Sequence, residues 1–134
     1  MGRLFLQYLN EKEVYCCSTC DSHLSVAKDL ISKAFHGRYG RALLFNSTVN
    51  IYKGIPAMRP LTTGMHVVCD IYCINCQEYV GWYYEYAEEE SQKYKIGKFI
   101  IEKHRTYRYI EQQQQPQNTN AITNRLPEEL AMTV

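Results

Sequence analysis

Apolar positions along this chain come in short runs, rich in aromatic and β-branched residues and broken by glycine, proline, asparagine or serine. Runs of that length and content predict strands rather than helices. Residues 3–9 read as a first strand, and Val14-Tyr15 leads into a cysteine pair. Residues 27–35 (AKDLISKAF) read as a helical turn or an irregular loop. Residues 41–45 and 49–52 read as strands parted by an Asn46-Ser47 turn, and Gly54, Pro56 and Pro60 then break the chain. Residues 65–72 and the aromatic run 79–86 (YVGWYYEY) are the strongest strand signals. Residues 88–94 predict a loop or one helical turn, and 99–102 (FIIE) a last strand. The expected fold is mainly β.

The pattern changes after about residue 110. Residues 111–120 read EQQQQPQNTN, with no apolar period, so 111–134 is expected to be a disordered low-complexity tail behind a single domain over 1–110. A net charge of +1 provides no global field toward nucleic acid or an anionic membrane. No apolar run approaches the ~20 residues of a membrane-spanning helix, and the N-terminus lacks a secretory h-region. The expected setting is intracellular, nucleus and/or cytoplasm, where thiol–metal chemistry is commoner than disulfides.

Six cysteines then become the main chemical signal. Cys17-Ser18-Thr19-Cys20 and Cys73-Ile74-Asn75-Cys76 form two Cys-x-x-Cys pairs with 52 residues between them, each following an apolar strand. Two such turns brought together make a closed four-thiolate site, which suits one structural zinc on Cys17, Cys20, Cys73 and Cys76. Iron held as in a rubredoxin would use the same thiolates. Cys16 competes with Cys17 as a ligand, but Cys17 makes the two halves equal in spacing. Cys69 reads as a small buried residue. None of His23, His36, His66 and His104 stands in a recognisable spacing with a nucleophile, and no catalytic residue is expected.

Trp82 and Tyr84 are two apart on a strand, so both rings share one face. That face is either one wall of an aromatic ligand groove or ordinary core. Further on, Lys93, Lys95, Lys98, Lys103, Arg105 and Arg108 are interleaved with aromatics. That stretch reads as a solvated edge strand defended by lysine in preference to a nucleic-acid surface.

Over about residues 1–103 the chain resembles a Yippee-like protein. The resemblance rests on the two cysteine pairs, His23-Leu24, Asp29-Leu30-Ile31-Ser32-Lys33, Gly40-Arg41-Ala42, Leu44-Phe45, Thr63-Gly64, Asp70-Ile71-Tyr72, Gly81-Trp82 with Tyr84-Glu85, Ser91-Gln92-Lys93-Tyr94-Lys95, and Gly97-Lys98-Phe99-Ile100-Ile101-Glu102. Leu43, Cys69, Tyr83 and Ile96 depart from the family pattern, and none of them is an expected metal ligand.

The resemblance implies a zinc-stapled β-tent-like fold, two antiparallel sheets meeting near the metal with the two Cys-x-x-Cys knuckles between them. That fold is similar to the ligand-binding domain of cereblon and to B-type methionine sulfoxide reductases. It also implies a non-enzymatic protein-interaction module, an accessory subunit or adaptor of a GID/CTLH-type ubiquitin ligase. By the cereblon comparison, His66 joins Trp82 and Tyr84 as a groove residue. With one tryptophan the chain cannot build a three-tryptophan cage, so imide binding does not carry over. The alternatives are a small-molecule or modified-residue binder using the groove, and a sulfoxide-reductase-like oxidoreductase with Cys69 or Cys16 as nucleophile.

Overall fold

A computed structural model of the protein describes residues 5–111 and 125–126. Eleven strands lie in this part of the chain: β1 (Glu13–Cys17), β2 (His23–Val26), β3 (Leu30–Gly37), β4 (Gly40–Phe45), β5 (Ile51–Lys53), β6 (Ala57–Leu61), β7 (Gly64–Cys73), β8 (Tyr79–Ala87), β9 (Phe99–Glu102), β10 (Thr106–Ile110) and β11 (Arg125–Leu126). They form two antiparallel sheets. The smaller is ordered β11-β10-β1-β2; the larger is β3-β4-β9-β8-β7-β5, with β6 also on β7.

Both faces of the larger sheet are apolar, and each has its own use. Leu43, Phe45, Ile71, Val80 and Ile101 pack against Tyr15, Cys17 and Leu24 of the smaller sheet, closing the inter-sheet core. Ala42, Leu44, Val68, Trp82, Tyr84 and Ile100 form a second cluster on the opposite side. Strict alternation would put Val80 and Trp82 on one face. They part because the β7–β8 register slips between Ile71↔Gly81 and Tyr72↔Tyr79, leaving Val80 as the extra residue of a bulge. Gly81 beside it is held against the neighbouring backbone. A Cβ there would lie 1.8 Å from the Ile100 carbonyl oxygen.

The strands expected at 41–45, 65–72, 79–86 and 99–102 are β4, β7, β8 and β9. Elsewhere the structure corrects the sequence reading. The described part of the 3–9 run is not a strand, and Phe5, Leu6 and Tyr8 are exposed. Residues 27–29 form a 3-10 turn, but the rest of the expected loop is the eight-residue β3. Pro60 lies inside β6 rather than ending the chain's extended run, which is permitted because β6 is bonded through β7 alone. Strand β9 is not an edge: β4 and β8 flank it. Nor is it last, since β10 pairs with β1 along its whole length, from Glu13↔Ile110 to Cys17↔Thr106. Most of the tail expected to be disordered lies outside the described residues; within it, Arg125–Leu126 pairs with β10 as β11. Among the described residues no helix is long and apolar enough to cross a membrane.

Candidate metal centre and the adjoining cavity

Each cysteine pair sits on a turn that leaves one sheet and returns to it: β1 to β2 in the smaller, β7 to β8 in the larger. The two turns are built alike. The Cys17 N–H donates to the Ser22 carbonyl at 2.7 Å and the Asp21 N–H to the Cys17 carbonyl at 2.8 Å. The Cys73 N–H donates to the Glu78 carbonyl at 2.9 Å and the Gln77 N–H to the Cys73 carbonyl at 2.7 Å. The residue after each second cysteine, Asp21 (φ 68) or Gln77 (φ 66), takes the left-handed conformation that closes the turn. Even the outside contacts correspond. The Ser18 N–H reaches Arg105 at 3.0 Å and the Ile74 N–H reaches Asn50 at 2.8 Å.

The two turns face one another across the sheets. Cys17 Sγ is 3.6 Å from Cys76 Sγ, and Cys20 Sγ is 3.5 Å from Cys73 Sγ. All four sulfurs lie within 4.8 Å of one another. Tetrahedral zinc with Zn–S near 2.3 Å requires sulfurs about 3.8 Å apart, so the quartet fits one ion. Burial pushes the Cys17 and Cys73 thiols up. Burial also opposes ionisation of Cys20, but hydrogen bonds from Ser22, Asn75 and Cys73 outweigh it and bring that thiol down to about 6. Four buried or half-buried sulfurs so close together need a cation to carry them as thiolates. With four protein ligands such an ion has no open position for water or substrate.

The extra cysteines stand apart from this quartet. Cys16 is buried on β1 and packs with Val14 and Val26. Cys69 is buried on β7 and donates to Glu85 Oε2 at 3.6 Å. Burial, then the Glu85 charge, pushes its thiol up, which makes it a poor nucleophile.

Trp82 and Tyr84 both line a cavity of about 680 Å³ on the far side of the larger sheet, roofed by β3, β6 and the 3-10 turn Glu90–Lys95. Their rings meet edge to face at 6.3 Å. Trp82 is 8% exposed, and among the described residues its Nε1 has no fully formed hydrogen bond, with only the Tyr84 hydroxyl close by. The indole and the Tyr84 hydroxyl are near enough for Trp82 to favour the phenolate. Burial is the larger effect and pushes the Tyr84 phenol up to about 12. His66 is not part of the lining. It is buried behind Tyr84, ring centroids 5.4 Å apart, with Nδ1 2.8 Å from the Gly64 carbonyl oxygen.

Sequence reasoning missed two residues here. Lys95, expected on a solvated edge, is 3% exposed and lines the cavity. Arg59 of β6 also lines it and pairs with Asp70 at 2.9 Å. A lysine inside a basic run offers no sequence signal of burial. Its partner, the Thr63 hydroxyl that accepts from Lys95 Nζ at 3.0 Å, is 32 residues away in the chain and comes near only on folding.

Comparison with known proteins agrees with this geometry. The family model described as "Yippee zinc-binding/DNA-binding /Mis18, centromere assembly" matches residues 13–121. Protein yippee-like 3 of Homo sapiens is 52% identical over 101 residues, covering 75% of this chain and 85% of its own. A yippee-like protein of Solanum tuberosum is 47% identical over 103 residues, covering 77% and 79% respectively. In fold, the chain is similar to the crystal structure of the Mis18 "Yippee-like" domain, with a TM-score of 0.60 at 12% identity, over 77% of this chain and 100% of that one.

Proposed function

This chain belongs to the Yippee-like family of zinc-binding proteins, and on that premise we propose that it is a non-enzymatic protein-interaction module serving as an adaptor in a GID/CTLH-type ubiquitin-ligase assembly of the nucleus or cytoplasm. The observation that carries the interaction role is the closed quartet of Cys17, Cys20, Cys73 and Cys76. Its chemistry is that of a cross-link, which leaves the outer surface as the working part. That surface offers a cross-strand row of Met58, Val67 and Tyr86, with Met58 and Tyr86 exposed and Ile55 nearby in the chain. Exposed apolar residues grouped in this way are typical of contact surfaces. The choice of a ubiquitin ligase rests on the family resemblance. Affinity purification of the tagged chain with mass spectrometry tests it: subunits of that assembly should be enriched over a Cys73→Ser control and depleted by Met58→Glu. Purification that enriches none of them contradicts the adaptor role.

A second reading, that the protein binds a small ligand, is favoured by the cavity and by the buried Trp82 Nε1 on its wall, which makes no fully formed hydrogen bond among the described residues. The oxidoreductase reading has less behind it, because the Cys69 thiol is raised and Cys16 is buried.

A further inference from the structure

We propose that the cavity on the outer face of the larger sheet binds a small planar organic carboxylate, with the carboxylate on Lys95 Nζ and the Trp82 indole N–H and the planar body against Phe35, Trp82 and Tyr84. The inference deepens the ligand-binding reading above and rests on it. Lys95 is buried, yet among the described residues its ammonium forms no ion pair. Its hydrogen-bond partner there is the neutral Thr63 hydroxyl. The rings of Tyr84 and Phe35, at 5.3 and 5.4 Å from Nζ, supply cation–π attraction but no counter-charge. Burial lowers the lysine pKa from its ordinary value, as befits an ammonium without an anion.

Other groups point the same way. Trp82 supplies a second donor, whose Nε1 has no fully formed hydrogen bond among the described residues and only the Tyr84 hydroxyl close by. An indole N–H donates and does not accept, so its missing partner is an acceptor. The residues lining the cavity include Arg38, Arg59 and Lys95 and no aspartate or glutamate. The carboxylates bonded to lining residues are already engaged: Asp70 by Arg59 at 2.9 Å, Glu102 by the Tyr79 hydroxyl at 2.8 Å. A cation would therefore meet like charge, and a neutral apolar molecule would leave both donors unanswered. A carboxylate answers both, and its charge-assisted bonds are the stronger kind. A volume of about 680 Å³ suits a small molecule.

Trp82 is the chain's one tryptophan, so its indole N–H gives a single resonance in a nitrogen-15 correlation spectrum. The full chain is titrated with 2-naphthoate, 2-naphthamide and 2-naphthylmethylammonium, three probes of one body and different charge. Saturable movement of the indole resonance is expected with 2-naphthoate, at about tenfold lower concentration or less than with the amide. In Lys95→Met, which keeps side-chain length and removes an unpaired buried charge, the acid should lose that advantage while the melt stays at or above that of the native chain. If the amide or the ammonium binds as well as the acid, or Lys95→Met keeps the preference, carboxylate recognition is wrong while the cavity still binds ligands. If none of the three moves the resonance, the ligand-binding reading falls as well.

Discussion

At Gly81 the two central strands of the larger sheet approach so closely that a side chain has no room. The Cβ of Gly81→Ala would meet a backbone oxygen at 1.8 Å, and a carbonyl in the middle of a sheet cannot swing aside as a side chain could. Overpacking of that kind costs about 1–3 kcal/mol and sometimes more. Gly81→Ala should lower the midpoint of urea unfolding accordingly, whereas an unchanged midpoint would mean that β8 and β9 are farther apart than described. The same stretch shows what single residues disclose. That Trp82 and Tyr84 share a face follows from the two-residue period alone. That Val80 turns to the other face does not: Gly81 inside the run marks a bulge or a close backbone approach without saying which neighbour is the extra residue. Lys95 is invisible for a different reason. Its burial depends on Thr63, Phe35 and Tyr84, which come together only in the folded chain.

At the scale of elements, strands with strong apolar content were readable and those held by their partners were not. β4, β7, β8 and β9 carry β-branched and aromatic residues through the core. β6 contains a proline, which argues against a strand; β10 (TYRYI) is rich in strand formers but sits at the end of a basic run, behind the 3-10 turn Lys103–Arg105, and reads as part of that solvated stretch. Yet β10 lies in register with every residue of β1, and the Thr106 hydroxyl donates to the Cys16 carbonyl at 2.6 Å, next to the first cysteine ligand. Removing β10 would strip β1 of one neighbour and loosen the turn that presents Cys17 and Cys20. A chain ending at Glu102 should therefore lose its cooperative thermal melt, and one ending at Glu111 should keep it. A sharp melt from the chain that ends at Glu102 would show that β10 is dispensable.

For the whole molecule, the deciding feature is that the two sheets are joined at one end by paired turns from distant parts of the sequence. The spacing of the cysteines announced this, since four thiolates on two short turns have few other uses. The spacing could not disclose that the turns are built alike down to their backbone hydrogen bonds, or that each belongs to a different sheet. Zinc sites of this kind contribute about 10–16 kcal/mol in small zinc-folded peptides, against a total stability of ~5–15 kcal/mol for a typical domain. The ion is thus expected to decide whether the sheets stay together. X-ray absorption at the zinc edge, on protein purified without added metal, tests this most directly. One zinc per chain with four sulfurs at about 2.3 Å is the predicted result; a chain that melts sharply without bound metal, or zinc held by nitrogen or oxygen ligands, would contradict it.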